Sequence, residues 1–485
     1  MMKIKERPCI HPKNCAGCSV CVENCPMDCI RIKEPEFHGD IHTIAEVDVS
    51  KCIGCGICAK VCPIDAIEMR RGGEAVCYME KKWNLETVFC RGFQSVMKVG
   101  MYCLPWGIPK VLKGPGAVKK LPAAIKRKKF HKVLVVTDQM LMGLHLLDGM
   151  LEAMDKAGLE YVIYDHVAPN PTNLNVEEGL ALYKDCRCDC IIAFGGGSPM
   201  DCAKGIGARA ARPKKSVEQL QGLFRVLRPL PTIFAVPTTA GTGSETTVAA
   251  VITDAKTHHK ASMNDICLMP KYAVMDPELT VGLPPQVTAT TGMDALCHAV
   301  EAYTNNTYNT KLEKEMCKKA VKLIYDNLYL IYQDGTNLKG RYCMQKAAFY
   351  AGRAFTRGCV GYVHAIGHTL GGLYGTPHGL AMATLLPHVM RAFGPAAYEK
   401  LADLCDVCGI EAEDDSSKAK AEAFIRWIED MKVKMDIPLY PPTIKEEDVD
   451  QIVEWAHKEG NPLYPTPVVW TKTDFKEFIS SLKES

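Results

Sequence analysis

DCIIAFGGGSPMDCAKGI, residues 189–206, joins a short apolar run to a glycine loop and then to a helical pattern. The apolar residues 190–194 have strand length, and Gly195-Gly196-Gly197-Ser198-Pro199-Met200-Asp201 interrupts them. Lacking Cβ atoms, such glycines let a backbone approach a pyrophosphate, and the helix behind them offers unpaired N–H groups and a partial positive charge. The run is not G-x-G-x-x-G, so alone it is a moderate signal. A second small-residue loop, Pro237-Thr238-Thr239-Ala240-Gly241-Thr242-Gly243-Ser244-Glu245, also leaves an apolar strand, and its hydroxyls suit phosphate and ribose. A bland turn explains one such loop but hardly both.

Upstream, GPGAVKKLPAAI (114–125) precedes HKVLVVTD (131–138), an apolar strand ending on an acid. YVIYD (161–165) and the helical VEEGLALYKDC (176–186) follow. Strand alternating with amphipathic helix is the pattern of a parallel sheet covered on both faces. Beyond about residue 280 the strand signal stops, and helical periodicity runs to the C-terminus.

That helical part carries a metal-ligand pattern. Asp294-x3-His298 in GMDALCHAVEAY places both side chains on one helix face. His364-x3-His368 in GYVHAIGHTLGG is a second such pair, followed by a turn and His378 in GTPHG. A carboxylate with imidazoles suits a divalent iron or zinc ion. A lone histidine on an apolar face is usually core packing; two helical pairs and a turn-borne third argue otherwise.

The N-terminal region is different in kind. Cys15-x2-Cys18-x2-Cys21-x3-Cys25-Pro26 and Cys52-x2-Cys55-x2-Cys58-x3-Cys62-Pro63 have the spacing of thiolates around cubane iron–sulfur clusters, in the tandem arrangement of two-cluster ferredoxins. In that arrangement the fourth cysteine of each run crosses to the other cluster. Cys15, Cys18, Cys21 and Cys62 are thus expected on one [4Fe-4S] cluster, and Cys52, Cys55, Cys58 and Cys25 on the second. Zinc knuckles explain neither the four-cysteine run nor the proline after it. Between the runs, Gly39-Asp40 reads as a hairpin turn. Cys77, Cys90 and Cys103 recur at thirteen-residue intervals, as ordinary thiols or a further metal site. Cys186, Cys188, Cys190, Cys405 and Cys408 lack a second pair at zinc-finger spacing and read as buried thiols.

Composition bounds the rest. A chain of 485 residues exceeds one ordinary core. A formal charge of +2 argues neither for a nucleic-acid surface nor for an acidic partner, and no nucleic-acid partner is expected. No run of 18 apolar residues or signal-peptide pattern occurs, so neither membrane span nor secretion is expected. Oxygen-sensitive clusters in a chain of 24 cysteines point to the reducing cytoplasm of an anaerobe rather than a disulfide scaffold.

From about residue 98 onward, the sequence resembles the iron-containing (group III) alcohol dehydrogenases. The resemblance rests on GPGAV, GGGSPMDCAKGI, PTTAGTGSE, VITD, DPELT, LPPQVTATTGMDALCHAVEAYT, GYVHAIGHTLGGLYGTPHG, LLPHV and NPLYP. It implies a dehydroquinate synthase-like pair of domains, an α/β dinucleotide-binding domain and an all-α metal-binding domain, with the metal in the cleft. The expected architecture is a small α+β ferredoxin module at 1–76, a linker or docking segment at 77–105, the α/β domain at 106–282 and the helical domain at 283–485. The resemblance makes Asp294, His298, His364 and His378 ligands to Fe2+, with Zn2+ as an alternative, and His368 a catalytic neighbour of nicotinamide and substrate. It places Asp138 at the adenosine ribose, where a carboxylate favours NAD(H) over NADP(H), and Lys260 at a ribose. Gly195, Gly196, Gly197, Ser198, Asp201, Thr238, Thr239 and Thr242 complete the expected cofactor contacts. Two features depart from the family: the first ~95 residues, and Arg353 with Arg357 before His364, which read as helix surface, with contact of Arg357 to an anionic substrate as the alternative.

The expected activity is reversible interconversion of a small alcohol and its aldehyde, in a homo-oligomer. The alternative is a ferredoxin-coupled oxidoreductase working with a flavoprotein or other redox partner. Hydride carries two electrons and a cubane cluster moves one; flavin is the usual converter, and no flavin domain is legible. A third reading makes the cluster module a docking element without electron transfer.

Overall fold

The computed structural model describes residues 6–10, 18–33, 44–48, 51–63, 66–71, 84–256 and 260–482. Cys15, Cys77 and the expected Gly39-Asp40 turn lie outside the described residues.

A six-stranded sheet runs in the order Lys110–Lys113, Tyr272–Met275, Thr232–Pro237, Cys190–Gly195, Lys132–Val136, Glu160–Tyr164. Every pairing in it is parallel. Strand period two divides the apolar side chains between two cores. Leu134, Val136, Ile191, Ala193, Ile233 and Ala235 pack on one face with Val176 and Leu180 of helix Asn173–Asp185 and Met200 and Ile206 of helix Gly197–Ala211. Val133, Val135, Ile192, Phe194, Phe234 and Val236 pack on the other, against Leu121, Ile125, Met150 and Met154. Both faces being covered explains why the central strand Cys190–Gly195 is apolar throughout and buried at every position.

After 3-10 turn Pro277–Thr280 the chain is helical, from Pro285–Thr304 to Lys472–Ser481. Leu296, Ile324, Leu385, Phe424 and Trp470 belong to one continuous core there. The architecture is a small cysteine-rich module, a parallel α/β domain and a largely helical domain. Among the described residues no helix is long and apolar enough to cross a membrane.

The cysteine-rich module repeats one unit. A short helix, Val20–Glu23 or Ile57–Val61, lies within each run, and a strand, Ile30–Lys33 or Ile67–Arg71, follows each Cys-Pro. Ile30–Lys33 pairs antiparallel with Ile44–Val47, and Ile67–Arg71 with Glu6–Ile10. Cys21, Cys29, Ile30, Ala45, Cys58 and Ile67 form its small core.

The segment at 77–105, expected as a linker or docking segment, contains a 19-residue helix, Leu85–Cys103, capped by the Asn84 side chain accepting from Thr87 N–H. Its buried face is narrow and half polar, while much of its apolar surface is exposed. The buried positions are Thr87, Cys90, Gln94 and Met101, whereas Leu85, Val88, Phe89, Val96 and Val99 are exposed. Polar residues do the docking. Arg91 Nη2 donates to the Thr466 and Pro467 carbonyls at 2.8 and 3.1 Å, and Gln94 Nε2 to those of Pro462 and Tyr464 at 3.0 Å each.

Candidate active site

Asp294 and His298 lie one turn apart on helix Pro285–Thr304. His364 is in the first turn of helix Tyr362–Tyr374, and His378 opens helix His378–Phe393 behind Pro377. One ligand atom from each of these four residues lies within 4.8 Å of every other. Asp294 Oδ1 is 3.9 Å from His298 Nε2, 3.8 Å from His364 Nε2 and 3.4 Å from His378 Nε2. Asp294, His298 and His364 are buried, and His378 is more open. Asp294 Oδ1 and His364 Nε2 have no hydrogen-bond partner. Buried polar atoms left unpaired are costly, and here the pair is complementary to a cation between them.

The electrostatics agree. Burial opposes the Asp294 charge, yet the three imidazoles around it hold its carboxyl well below the usual range. Burial pushes His298 down to about 3 and His364 well below its ordinary value, keeping both neutral. A carboxylate and neutral imidazoles are the protonation states a metal requires. His298 stacks on Phe355 at 4.2 Å and on His364 at 4.6 Å, which fixes its ring.

Glu301, unmarked in the sequence reading, accepts Val363 N–H at 2.8 Å through Oε1 and bonds His364 Nδ1 through Oε2. It stands seven residues after Asp294 on the same helix, so the 294–298–301 stripe was the signal available. Burial pushes its carboxyl up to about 7. His368 is held differently: Nδ1 meets Glu459 Oε1 at 2.7 Å, and Tyr464 Oη donates to the same oxygen at 3.0 Å. Its ring stacks on His378 at 5.3 Å. Burial works against its charge, but the Glu459 carboxylate prevails and holds its pKa above the ordinary value. Glu459 carries no sequence signal; Tyr464 lies within NPLYP.

The two small-residue loops face each other beside this centre. A Cβ on Gly195, whose φ is +146°, would come within 2.6 Å of Pro199 Cγ. A Cβ on Gly197 would sit 3.1 Å from Thr242 Cγ2, and one on Gly196 3.5 Å from Thr239. Thr238 N–H donates to the Gly195 carbonyl at 3.1 Å. Helix Gly197–Ala211 has no side-chain cap at its start. Close backbone and uncapped N–H groups fit a pyrophosphate. Gly241 is pressed against Thr291, where a Cβ would lie 2.7 Å from the carbonyl oxygen, so this loop abuts the helix bearing Asp294.

Other expected cofactor residues have internal partners. Asp201 Oδ1 accepts from Ser244 Oγ at 2.9 Å and its Oδ2 from Val251 N–H at 3.0 Å, tying the loops together. Ser198 Oγ donates to the Pro169 carbonyl. Asp138 Oδ1 caps helix Gln139–Gly143 through Leu141 N–H at 2.9 Å. Thr242 Oγ1 accepts from Ser244 N–H at 3.3 Å. Lys260 begins a strand, and burial lowers its pKa. Lys204, not singled out from sequence, is fully buried and donates to Ser244 Oγ, Thr247 Oγ1 and the Ala249 carbonyl at 2.9, 2.7 and 2.8 Å.

Arg353 and Arg357 are corrected from helix surface to buried, at 3% and 9% exposure. Arg357 Nε donates to the Tyr308 carbonyl at 3.1 Å, and its guanidinium lies over the Tyr102 and Trp106 rings. Tyr102 of helix Leu85–Cys103 and Trp106 beyond it thus cover Arg357 on a side the sequence left open to solvent.

In the cysteine-rich module, Cys25, Cys52, Cys55 and Cys58 line one cavity. Cys21 is buried, Cys62 half-buried and Cys18 exposed. A fifth cysteine, Cys29, lines the same cavity, and burial pushes its thiol up to about 12. Cys90 is buried and Cys103 exposed at the end of one helix.

A parallel α/β sheet beside a buried Asp–His centre in a helical domain fits a metal-dependent oxidoreductase. The chain belongs to the iron-containing alcohol dehydrogenase family, which matches residues 109–277, with the Fe-containing alcohol dehydrogenase family C-terminal region at 288–482. A 4Fe-4S dicluster domain matches residues 14–66. The 1,3-propanediol dehydrogenase of Citrobacter freundii is 40% identical over 352 residues, 72% of this chain and 90% of that protein. The NAD-dependent methanol dehydrogenase of Bacillus methanolicus is 35% identical over 375 residues, 77% and 98% of the two chains. The solved alcohol dehydrogenase from Oenococcus oeni superposes with a TM-score of 0.75 at 35% identity, spanning 78% of this chain and all of that one.

Proposed function

We propose that this protein interconverts a small primary alcohol and its aldehyde using NAD(H) and a divalent iron ion. The observation that carries the reading is the convergence of Asp294 Oδ1 and His364 Nε2, buried and unpaired, with His298 and His378. A ferrous ion held by these four side chains supplies Lewis acidity toward an alcohol or carbonyl oxygen. The chain's own residues do the rest. Gly195, Gly196 and Gly197 with Thr238, Thr239 and Thr242 hold the pyrophosphate. Asp138 and Lys260 take the riboses, and Asp138 disfavours a 2′-phosphate. Ser198 and Asp201 position the loops, since their side-chain oxygens are engaged within the chain. His368, fixed at Nδ1 by Glu459, presents its other nitrogen for proton relay. Hydride transfer asks no nucleophile of the protein.

The N-terminal module holds two [4Fe-4S] clusters, with Cys25, Cys52, Cys55 and Cys58 on one and Cys15, Cys18, Cys21 and Cys62 on the other. The cavity shared by the first four supports the crossed assignment. We assign the clusters to docking or electron relay toward a redox partner, outside the hydride step, because hydride and cluster differ in electron count.

The test is NADH consumption by anaerobic, iron-loaded protein over a panel of short aldehydes. Turnover lost on chelation and restored by Fe2+ supports the reading. Absence of NAD(H)-linked turnover with any alcohol or aldehyde, iron site filled, overturns it.

A further inference from the structure

The two halves of the cysteine-rich module are near-repeats, and they differ at one telling position. Cys25-Pro26-Met27-Asp28-Cys29-Ile30 aligns with Cys62-Pro63-Ile64-Asp65-Ala66-Ile67. The backbone treats the two positions alike. Cys29 N–H lies 3.5 Å from Cys25 Sγ, and Ala66 N–H lies 3.2 Å from Cys62 Sγ. Where one repeat has a methyl group, the other has a thiol. That thiol is 3% exposed, lines the cavity shared by Cys25, Cys52, Cys55 and Cys58, and sits with its sulfur 3.4 Å from Cys25 Sγ. Core packing asks only for the alanine its counterpart uses.

We propose that Cys29 is a reserve ligand of the cluster bound by Cys25, Cys52, Cys55 and Cys58, able to replace Cys25 on its iron. This rests on the cluster assignment above. In the exchange, the Fe–Sγ bond to Cys25 breaks and one to Cys29 forms. Cys29 gives up its thiol proton to solvent and the departing Cys25 thiolate takes one up, so no electron is transferred. The short sulfur–sulfur separation lets side-chain rotation make the change. The other cluster has no such reserve on the Cys62 side, because Ala66 offers no sulfur.

The test uses the full-length protein, assembled anaerobically, with iron and sulfide content, visible absorption and the EPR of the reduced protein as readouts. Wild type should carry about eight sulfides and about eight cluster irons per chain, the content of two cubane clusters, besides the single iron of the Asp294 site; markedly less sulfide overturns the underlying cluster reading. With wild type intact, Cys25→Ala should keep that content, whereas Cys25→Ala with Cys29→Ala should fall to about half, one cluster being lost. Cys62→Ala should lose a cluster by itself. Cys29→Ala alone should keep both. Cys25→Ser is the second variant, in case alanine disrupts the module's fold, and circular dichroism checks folding. The inference is overturned if Cys25→Ala and Cys25→Ser both lose a cluster while Cys29→Ala keeps two. It is also overturned if Cys62→Ala keeps two, because three cysteines would then suffice.

Discussion

Glu301 and His364 are joined through the imidazole Nδ1, and the same carboxylate holds the Val363 N–H at 2.8 Å. With Nδ1 engaged, His364 Nε2 is left facing Asp294 Oδ1 at 3.8 Å. Such outer partners fix the ring tautomer and raise ligand basicity. Glu301→Gln should weaken Fe2+ binding by roughly 10- to 100-fold while leaving the fold intact. Competition with a chelator measures it, and unchanged affinity would show that Glu301 only packs.

Asp294→Ala and His364→Ala should each abolish turnover and lose the one iron held beyond the cluster content. NADH binding, carried by the glycine loops, should survive. Metal analysis with a fluorescence titration separates the two effects, and normal turnover in either variant sinks the ligand assignment.

Asp138 has two tasks, ribose selection and capping of the Gln139–Gly143 helix. Glycine is a tolerated N-cap, costing only a few tenths of a kcal/mol against Asp, so Asp138→Gly is a clean probe of the charge. It should relax the preference for NAD(H) over NADP(H). Equal kinetics with both cofactors in the wild type would count against the argument.

Lys204 donates to two hydroxyls and a carbonyl behind the cofactor loops. Lys204→Met would strand those partners and should destabilise the protein by ~1–3 kcal/mol. Burial holds its amine at about 8 against an ordinary 10.5. Between those values the unfolded chain binds the extra proton, so this group makes stability rise with pH there. Denaturant unfolding at pH 8 and 10 should show the increment in wild type and a smaller one in Lys204→Met.

Serine at Cys18 and Cys55 removes one ligand from each expected cluster. Alcohol–NAD activity should remain largely intact, while association with a redox partner should weaken. NADH added anaerobically to the wild-type chain should bleach little cluster absorbance without an added flavoprotein. Rapid substrate-linked bleaching would establish direct internal coupling instead.

What sequence alone determined was everything carried by local spacing. The strand–glycine–helix junction at 189–206 announced the parallel sheet, because strand and helix periods differ within a few residues. The pairs Asp294/His298 and His364/His368 announced the metal helices, because four residues make one turn. Tertiary structure alone decided which distant groups serve those ligands. Glu459 reaches His368 across 91 residues, and Gln94 reaches the carbonyls of Pro462 and Tyr464 across still more. The docking of helix Leu85–Cys103 was not legible because Arg91 and Gln94 meet backbone carbonyls of residues 462–467, and such long-range partners leave no local pattern. Cys29 stayed hidden for a related reason. Only folding, by setting its sulfur 3.4 Å from Cys25, distinguishes it from a buried core thiol.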